Sequence, residues 1–334
     1  MMNLLFLASA YGLSAHASSI PNAQKLKDLS SGTALLLEKE IVVQAGRERA
    51  YFNAGKNFVF LNGAAKFATA GMSASMILAA LSPNFAAAQV VAKDDKRIST
   101  QMLDVASPKG SGSIKGLLAR PANAGSKKLP AILVIHENRG LNPHIEDITR
   151  RLAVDGYMAF APDALTGLGG YPASNPQPED KAREMFATLN QANIFEDFLA
   201  SATMLQTRAD STGKLGAVGF CYGGGIVQRL AISQPGLNAG VPFYGNLPAT
   251  TEAVKVKAPL LIHFAGVDER INAAWPAYEA ALKAANAPFT AHTYAGTQHG
   301  FNNDTTPRFD AAAAKLAWGR TMEFFNRQLQ LTPA

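Results

Sequence analysis

The chain holds a single cysteine, Cys221, and it stands at the centre of Gly219-Phe-Cys-Tyr-Gly223. An apolar run leads into the first glycine, and three glycines, Gly223 to Gly225, open an apolar helical pattern. Gly-x-nucleophile-x-Gly between a strand and a helix is the signature of a nucleophile elbow, here with sulfur in place of the usual serine oxygen. A strand that turns sharply into a helix holds its apex residue in a strained backbone conformation. Side chains at Gly219 and Gly223 would collide with the neighbouring strand and helix. Such a turn leaves Cys221 exposed at the C-terminal edge of a sheet. The positive end of the following helix dipole there favours thiolate. The plainer alternative is a buried structural cysteine at an ordinary strand–helix junction.

A thiol nucleophile needs a base and something to orient it. Downstream of Cys221, the apolar run Pro259-Leu-Leu-Ile-His-Phe-Ala-Gly-Val ends just before Asp268. The alternating stretch Phe289-Thr-Ala-His-Thr-Tyr leads into Ala295-Gly-Thr-Gln-His-Gly-Phe, which puts His299 in a glycine-flanked loop. Singly, Asp268 reads as a helix N-cap and His299 as a polar loop residue. Together they give the order nucleophile, acid, histidine, each after its own strand, at the strand ends where such sheets carry chemistry.

These three residues need a scaffold, and the text from residue 98 supplies one. Residues 101–106 and 113–120 read as an antiparallel pair, and 129–136 as a strand buried on both faces. A helix over 143–155, a strand over 157–161, and helices over 179–189 and 194–207 follow. The elbow strand from 214 comes next, then a strand over 239–244, the Asp268 strand, a helix over 274–285, the His299 strand and a closing helix over 310–329. The alternation predicts an α/β class, with a doubly wound, mostly parallel sheet covered by helices on both faces. The 334 residues, 48% of them hydrophobic, suffice for a sizeable core. One cysteine rules out an intrachain disulfide framework. A formal charge of +6, with no dense Lys/Arg run, gives no footprint for nucleic acid.

Residues 1–95 read as a separate N-terminal extension and 96–334 as the catalytic domain. Arg47, Arg49, Lys56 and Lys66 precede an apolar stretch over 67–81, which ends near Ala86 and Ala88. That is the pattern of an export signal, placed far from Met1, and it favours an exported, periplasmic protein over a cytoplasmic one. The alternative is a helical arm packed on the domain or on a partner subunit, a route to self-association.

Residues 98–330 resemble the dienelactone hydrolase (carboxymethylenebutenolidase) family, a cysteine-using branch of the α/β-hydrolases. The resemblance is carried by Gly219-Phe-Cys-Tyr-Gly-Gly, Asp268 after its strand and Thr297-Gln-His-Gly-Phe. Val134-Ile-His-Glu-Asn-Arg-Gly-Leu-Asn and Val241-Pro-Phe-Tyr-Gly add to it. It implies an α/β-hydrolase fold in which Cys221 attacks an ester carbonyl of a small lactone or ester to form an acyl-enzyme. His299, oriented by Asp268, would shuttle the proton, and Glu137 would attend the resting thiol. The backbone N–H groups of Asn138 and Tyr222 would form an oxyanion hole. No cofactor is implied. A zinc reading of His136-Glu137 fails because position 140 is glycine. His144, His263 and His292 lack ligand spacing and read as packing or surface residues. Gly223-Gly-Gly225 is no dinucleotide fingerprint.

The chain departs from the family at the substrate carboxylate. No arginine stands in the loop after the 157–161 strand, and the position four beyond His299 is Asn303. Neutral lactones or esters should then be turned over at least as well as an anionic one. Arg139, Arg270, Tyr244 and Asn303 are the remaining candidates for touching substrate. Two other classes stay open at this point, a cysteine peptidase or amidase and a non-catalytic thiol sensor.

Overall fold

The computed structural model describes residues 89–330, together with the backbone of short strands between residues 14 and 60. The chain separates into two compact units, residues 1–85 and 86–334. In the first, Ser14–Ala17, Thr33–Leu36, Glu40–Ala45, Glu48–Asn53 and Phe58–Phe60 pair in sequence order into a five-stranded sheet. The apolar stretch 67–81 and the Ala86-x-Ala88 signature lie outside the described residues. Residues 86–95, expected in the extension, fall within the second unit. Val90 and Val91 donate their backbone N–H groups to the buried carboxylate of Asp147, both at 2.9 Å.

The second unit is built on eight strands, which we number β1 (Ile98–Ser107), β2 (Gly112–Pro121), β3 (Leu129–Ile135), β4 (Met158–Pro162), β5 (Ser211–Phe220), β6 (Leu237–Phe243), β7 (Leu260–Val267) and β8 (Phe289–Gln298). Their order across the sheet is β8-β7-β6-β5-β3-β4-β2-β1. The ladder is parallel from β8 to β4, and β2 joins antiparallel between β4 and β1. Helices α1 (Pro143–Val154), α2 (Pro178–Ala187), α3 (Gln191–Thr207), α4 (Tyr222–Ser233), α5 (Glu269–Asn272), α6 (Trp275–Ala284) and α7 (Ala311–Leu329) connect and close it. Every expected strand and long helix is present, with ends moved by four residues at most. The short α5 was not anticipated.

Strand β3 shows why the sheet takes this form. All seven of its residues are buried. Leu129, Ala131, Leu133 and Ile135 face the core under α3, α4 and α6, while Ile132 and Val134 face the core under α1 and α7. A period of two with both faces apolar can be satisfied only by a helical layer on each side. The antiparallel β1 instead has one exposed face, which suits its place at the edge. On β5, Val218 lies in register with Val134 of β3 and Val241 of β6. Cys221 therefore emerges between the C-terminal ends of two parallel neighbours, where crevices form in sheets of this kind.

Candidate active site

Main-chain geometry fixes Cys221. It has φ 54° and ψ −111°, a conformation that L residues seldom adopt and that costs on the order of 1–3 kcal/mol. Its N–H donates to the Phe243 carbonyl of β6 at 3.0 Å. A Cβ on Gly219 would sit 2.2 Å from the Gly223 carbonyl oxygen, and one on Gly223 would sit 2.2 Å from the Ile135 carbonyl oxygen. A Cβ on Gly224 would meet the Phe243 carbonyl at 2.6 Å. The glycines thus let α4 start hard against β3 and β6, and that close approach holds the cysteine in its strained turn.

His299 follows β8 and Asp268 follows β7, adjacent parallel strands. The His299 Nδ1 lies 2.6 Å from the Asp268 Oδ2. With Nδ1–H donating to the carboxylate, the neutral ring keeps Nε2 as its acceptor. Asp268 is buried and His299 is partly exposed, as an orienting acid and a working base would be. The ring of Tyr244 lies 5.0 Å from the imidazole, centroid to centroid.

Glu137 stands two residues past the end of β3 and is buried. Its Oε2 accepts from Asn303 Nδ2 at 2.8 Å and lies 3.5 Å from an Arg139 guanidinium nitrogen. That same nitrogen lies 3.3 Å from Glu179 of α2. The Asn303 Oδ1 is also engaged, accepting from the backbone N–H and the hydroxyl of Thr305. His136 braces the main chain here. Its Nδ1 donates to the Glu137 carbonyl, and its Nε2 accepts from the Ala164 N–H at 3.1 Å. Full burial pushes this imidazole below its ordinary range, in keeping with a neutral ring that fixes the peptide leading to Asn138. Asp163 ties the adjoining loops by accepting from the N–H groups of Leu141, Leu165 and Tyr171.

The thiol is not the thiolate expected from the helix dipole alone. Burial pushes Cys221 up to about 11, and the Glu137 charge adds to the effect. The Tyr222 N–H, Arg270 and Arg139 pull the other way and lose. Desolvation and a like charge outweigh one helix terminus.

A cavity of about 370 Å³ opens over Cys221, bordered by Asn138, Tyr222, Phe186, Gln191, Arg183 and Arg270, with Asn246 at its edge. Two larger hollows, of about 490 and 580 Å³, do not include Cys221. The sequence-derived candidates therefore separate. Asn138, Tyr222 and Arg270 border the cavity with Cys221, and Arg270 donates to Asn246 at 2.6 Å. Asn303, expected to meet substrate, is fully buried and its side chain is used up on Glu137 and Thr305. Tyr244 is likewise buried behind His299 and is not in the cavity lining. Arg139 is engaged between two carboxylates and is no free clamp.

Sequence reasoning missed His136 as a brace, and it missed Glu179, Arg183 and Gln191, which come from α2 and the start of α3. His136 adjoins Glu137 in the same motif. The other three carried no local signal. Of the remaining histidines, His144 pairs with Asp304 at 2.8 Å in a buried contact. His263 lies buried between Tyr294 and Thr321, and His292 stacks on it. All three are packing residues.

Residues 114–329 match the sequence profile described as the dienelactone hydrolase family. A Saccharolobus solfataricus protein named as a carboxymethylenebutenolidase is 33% identical over 246 residues, covering 64% of this chain and 94% of its own. A hydrolase fragment from Escherichia coli K12, so named, is 43% identical over 122 residues, which is 36% of this chain and all of the fragment. A crystal structure from Klebsiella pneumoniae, named as a dienelactone hydrolase, superposes with a TM-score of 0.59 at 28% identity, covering 69% of this chain and 99% of that one. An acylaminoacyl peptidase from Pyrococcus horikoshii, at 15% identity and a TM-score of 0.55, shares the fold across 92% of this chain and 58% of its own.

Proposed function

The chain belongs to the dienelactone hydrolase family, and from that premise we propose that it hydrolyses a small carboxylic ester or lactone through Cys221, His299 and Asp268, by way of an acyl-cysteine intermediate. One observation carries the reading. The 2.6 Å His299–Asp268 contact joins two strand ends on the same edge of the sheet from which the strained Cys221 projects.

At rest the thiol is protonated, held so by burial and by Glu137. Substrate entering the cavity shuts out water. His299 Nε2 then takes the thiol proton, assisted by Glu137, while sulfur bonds to the carbonyl carbon. The oxyanion that forms is met by the N–H groups of Tyr222 and Asn138; loss of one such donor costs about 10²–10³ in rate. His299 passes its proton to the leaving oxygen as the ester C–O bond breaks. It next removes a proton from water, whose oxygen attacks the thioester carbon, and finally returns that proton to sulfur. Asp268 keeps the imidazole oriented and balances the charge of the imidazolium.

The substrate reading stays with neutral esters and lactones. Arg183 and Arg270 reach the cavity rim, but both are exposed, and exposed charges attract an anion weakly. The test is a turnover screen over lactones, short p-nitrophenyl esters and peptide amides, comparing the native chain with Cys221→Ala. The expected result is ester or lactone turnover that Cys221→Ala abolishes without unfolding the protein. Equal activity of the alanine variant, or cleavage confined to amides, overturns the reading.

A further inference from the structure

Tyr244 incurs two costs that packing does not explain. It is one of four non-glycine residues with positive φ among the described residues, at 37°. It is also fully buried, yet its hydroxyl has no hydrogen-bond partner. A phenylalanine would fill the same space without burying an unpaired hydroxyl, which ordinarily destabilises a fold. Strain and unpaired polar groups gather where a fold serves a site rather than itself.

The surroundings identify that site. Tyr244 directly follows Phe243, whose carbonyl receives the Cys221 N–H. Its own N–H donates to the His263 carbonyl at 2.7 Å, which pins the kinked backbone to β7. The ring packs 5.0 Å from His299, 5.5 Å from Phe301 and 6.5 Å from Phe220, the residue preceding the nucleophile. Besides burial, charge on Glu137 or on Cys221 opposes ionisation of this phenol, while Arg308 favours it. No acceptor stands within hydrogen-bonding reach of the hydroxyl, which leaves its proton uncommitted.

We propose that Tyr244 is a positioning residue for the nucleophile, a phenol held without a partner at rest so that its proton can turn towards the charge of Cys221 when the thiol ionises. The claim rests on Cys221 being the nucleophile, and it deepens that reading. Unlike a water molecule, a buried phenol is not displaced by substrate, and its dipole needs only a torsional turn to meet a new charge. It supplies a compensating donor beside a carboxylate that otherwise opposes ionisation. No proton is transferred from Tyr244, so the chemistry and its balance are unchanged.

The decisive variant is Y244F in the full chain, which deletes one oxygen. Iodoacetamide alkylation of Cys221, the only cysteine, is followed from pH 5 to 10, together with thermal unfolding and ester turnover. The profile of Y244F should shift upward by about one pH unit, with alkylation near pH 7 roughly ten-fold slower and kcat lowered by a similar factor, while KM changes little. The melting temperature should hold or rise, because an unpaired hydroxyl has been removed. A profile that coincides with the native one, or that moves to lower pH, overturns the proposal. So does a fall of the melting temperature by several degrees, which would mean that the hydroxyl has a structural partner. Failure of the nucleophile reading shows separately, as turnover that survives Cys221→Ala.

Discussion

On one side of the cavity, Cys221 is held by main-chain groups: the Phe243 carbonyl, and the backbone of β3 and β6 pressed against Gly223 and Gly224. Flanking Asn138, which borders that cavity, Glu137 and Arg139 are held instead by side chains, Asn303 from the loop after β8 and Glu179 from α2. The first wall tolerates no added atom and needs no charge. The second is an ion-pair cluster whose members can each be replaced by something of similar shape. Chemistry that must not move is built from glycine and backbone, and charge that must respond to substrate is built from side chains. The two walls should therefore fail differently when altered.

The largest loss should come where the sheet edge meets the base. His299→Ala should lower turnover by about 10⁴-fold or more, and Asp268→Asn somewhat less, because in the proposed mechanism the carboxylate orients without itself carrying the proton. Steady-state kinetics on a p-nitrophenyl ester read both. Near-native rates in both would mean that the contact at 2.6 Å is structural.

On the elbow wall, Gly223→Ala would force a Cβ to within 2.2 Å of the Ile135 carbonyl oxygen. It should cost about 1–3 kcal/mol in stability and most of the activity, by moving the start of α4. On the second wall, Glu137→Gln should leave stability nearly unchanged. It removes a charge that helps hold Cys221 at about 11, so the thiol should ionise at lower pH and alkylate faster near neutrality. Turnover should fall all the same, since in the proposed mechanism Glu137 assists the proton's departure. Slower alkylation in Glu137→Gln would mean that the carboxylate favours thiolate at rest. Equal stability losses in the two variants would erase the contrast between the walls.

The rim should matter least. Arg183→Gln and Arg270→Gln should each change the kcat/KM ratio of a free-acid lactone to its methyl ester by no more than about five-fold, as exposed charges do. A larger drop for the acid would make one of them a true carboxylate clamp.

The same division governed what could be read from the sequence. Glycine spacing around Cys221, and the strand-end positions of Asp268, His299 and Glu137, are local constraints, and each is visible in a window of a dozen residues. The pattern of β3, apolar at every position, announced a helical layer on both faces. Arg183, Glu179 and Gln191 were not legible, because their places depend on how α2 leans on the elbow. That docking is set by Phe186, whose ring meets Tyr222 at 4.7 Å and His136 at 5.9 Å. No spacing rule reports such a contact. The thiol's protonation was misjudged for a related reason. The helix dipole is visible in a sequence, but the burial that outweighs it is not.

The central claim is that Cys221 carries the acyl group, and trapping that group tests it most directly. The protein is mixed with a p-nitrophenyl ester, quenched in acid during turnover and digested for peptide mass analysis, with Cys221→Ala run alongside. The account predicts one acyl group on the peptide bearing Cys221, released with time in the native chain and absent from Cys221→Ala. Product formation with no acylated Cys221 peptide, or an acyl group on a different residue, would contradict it.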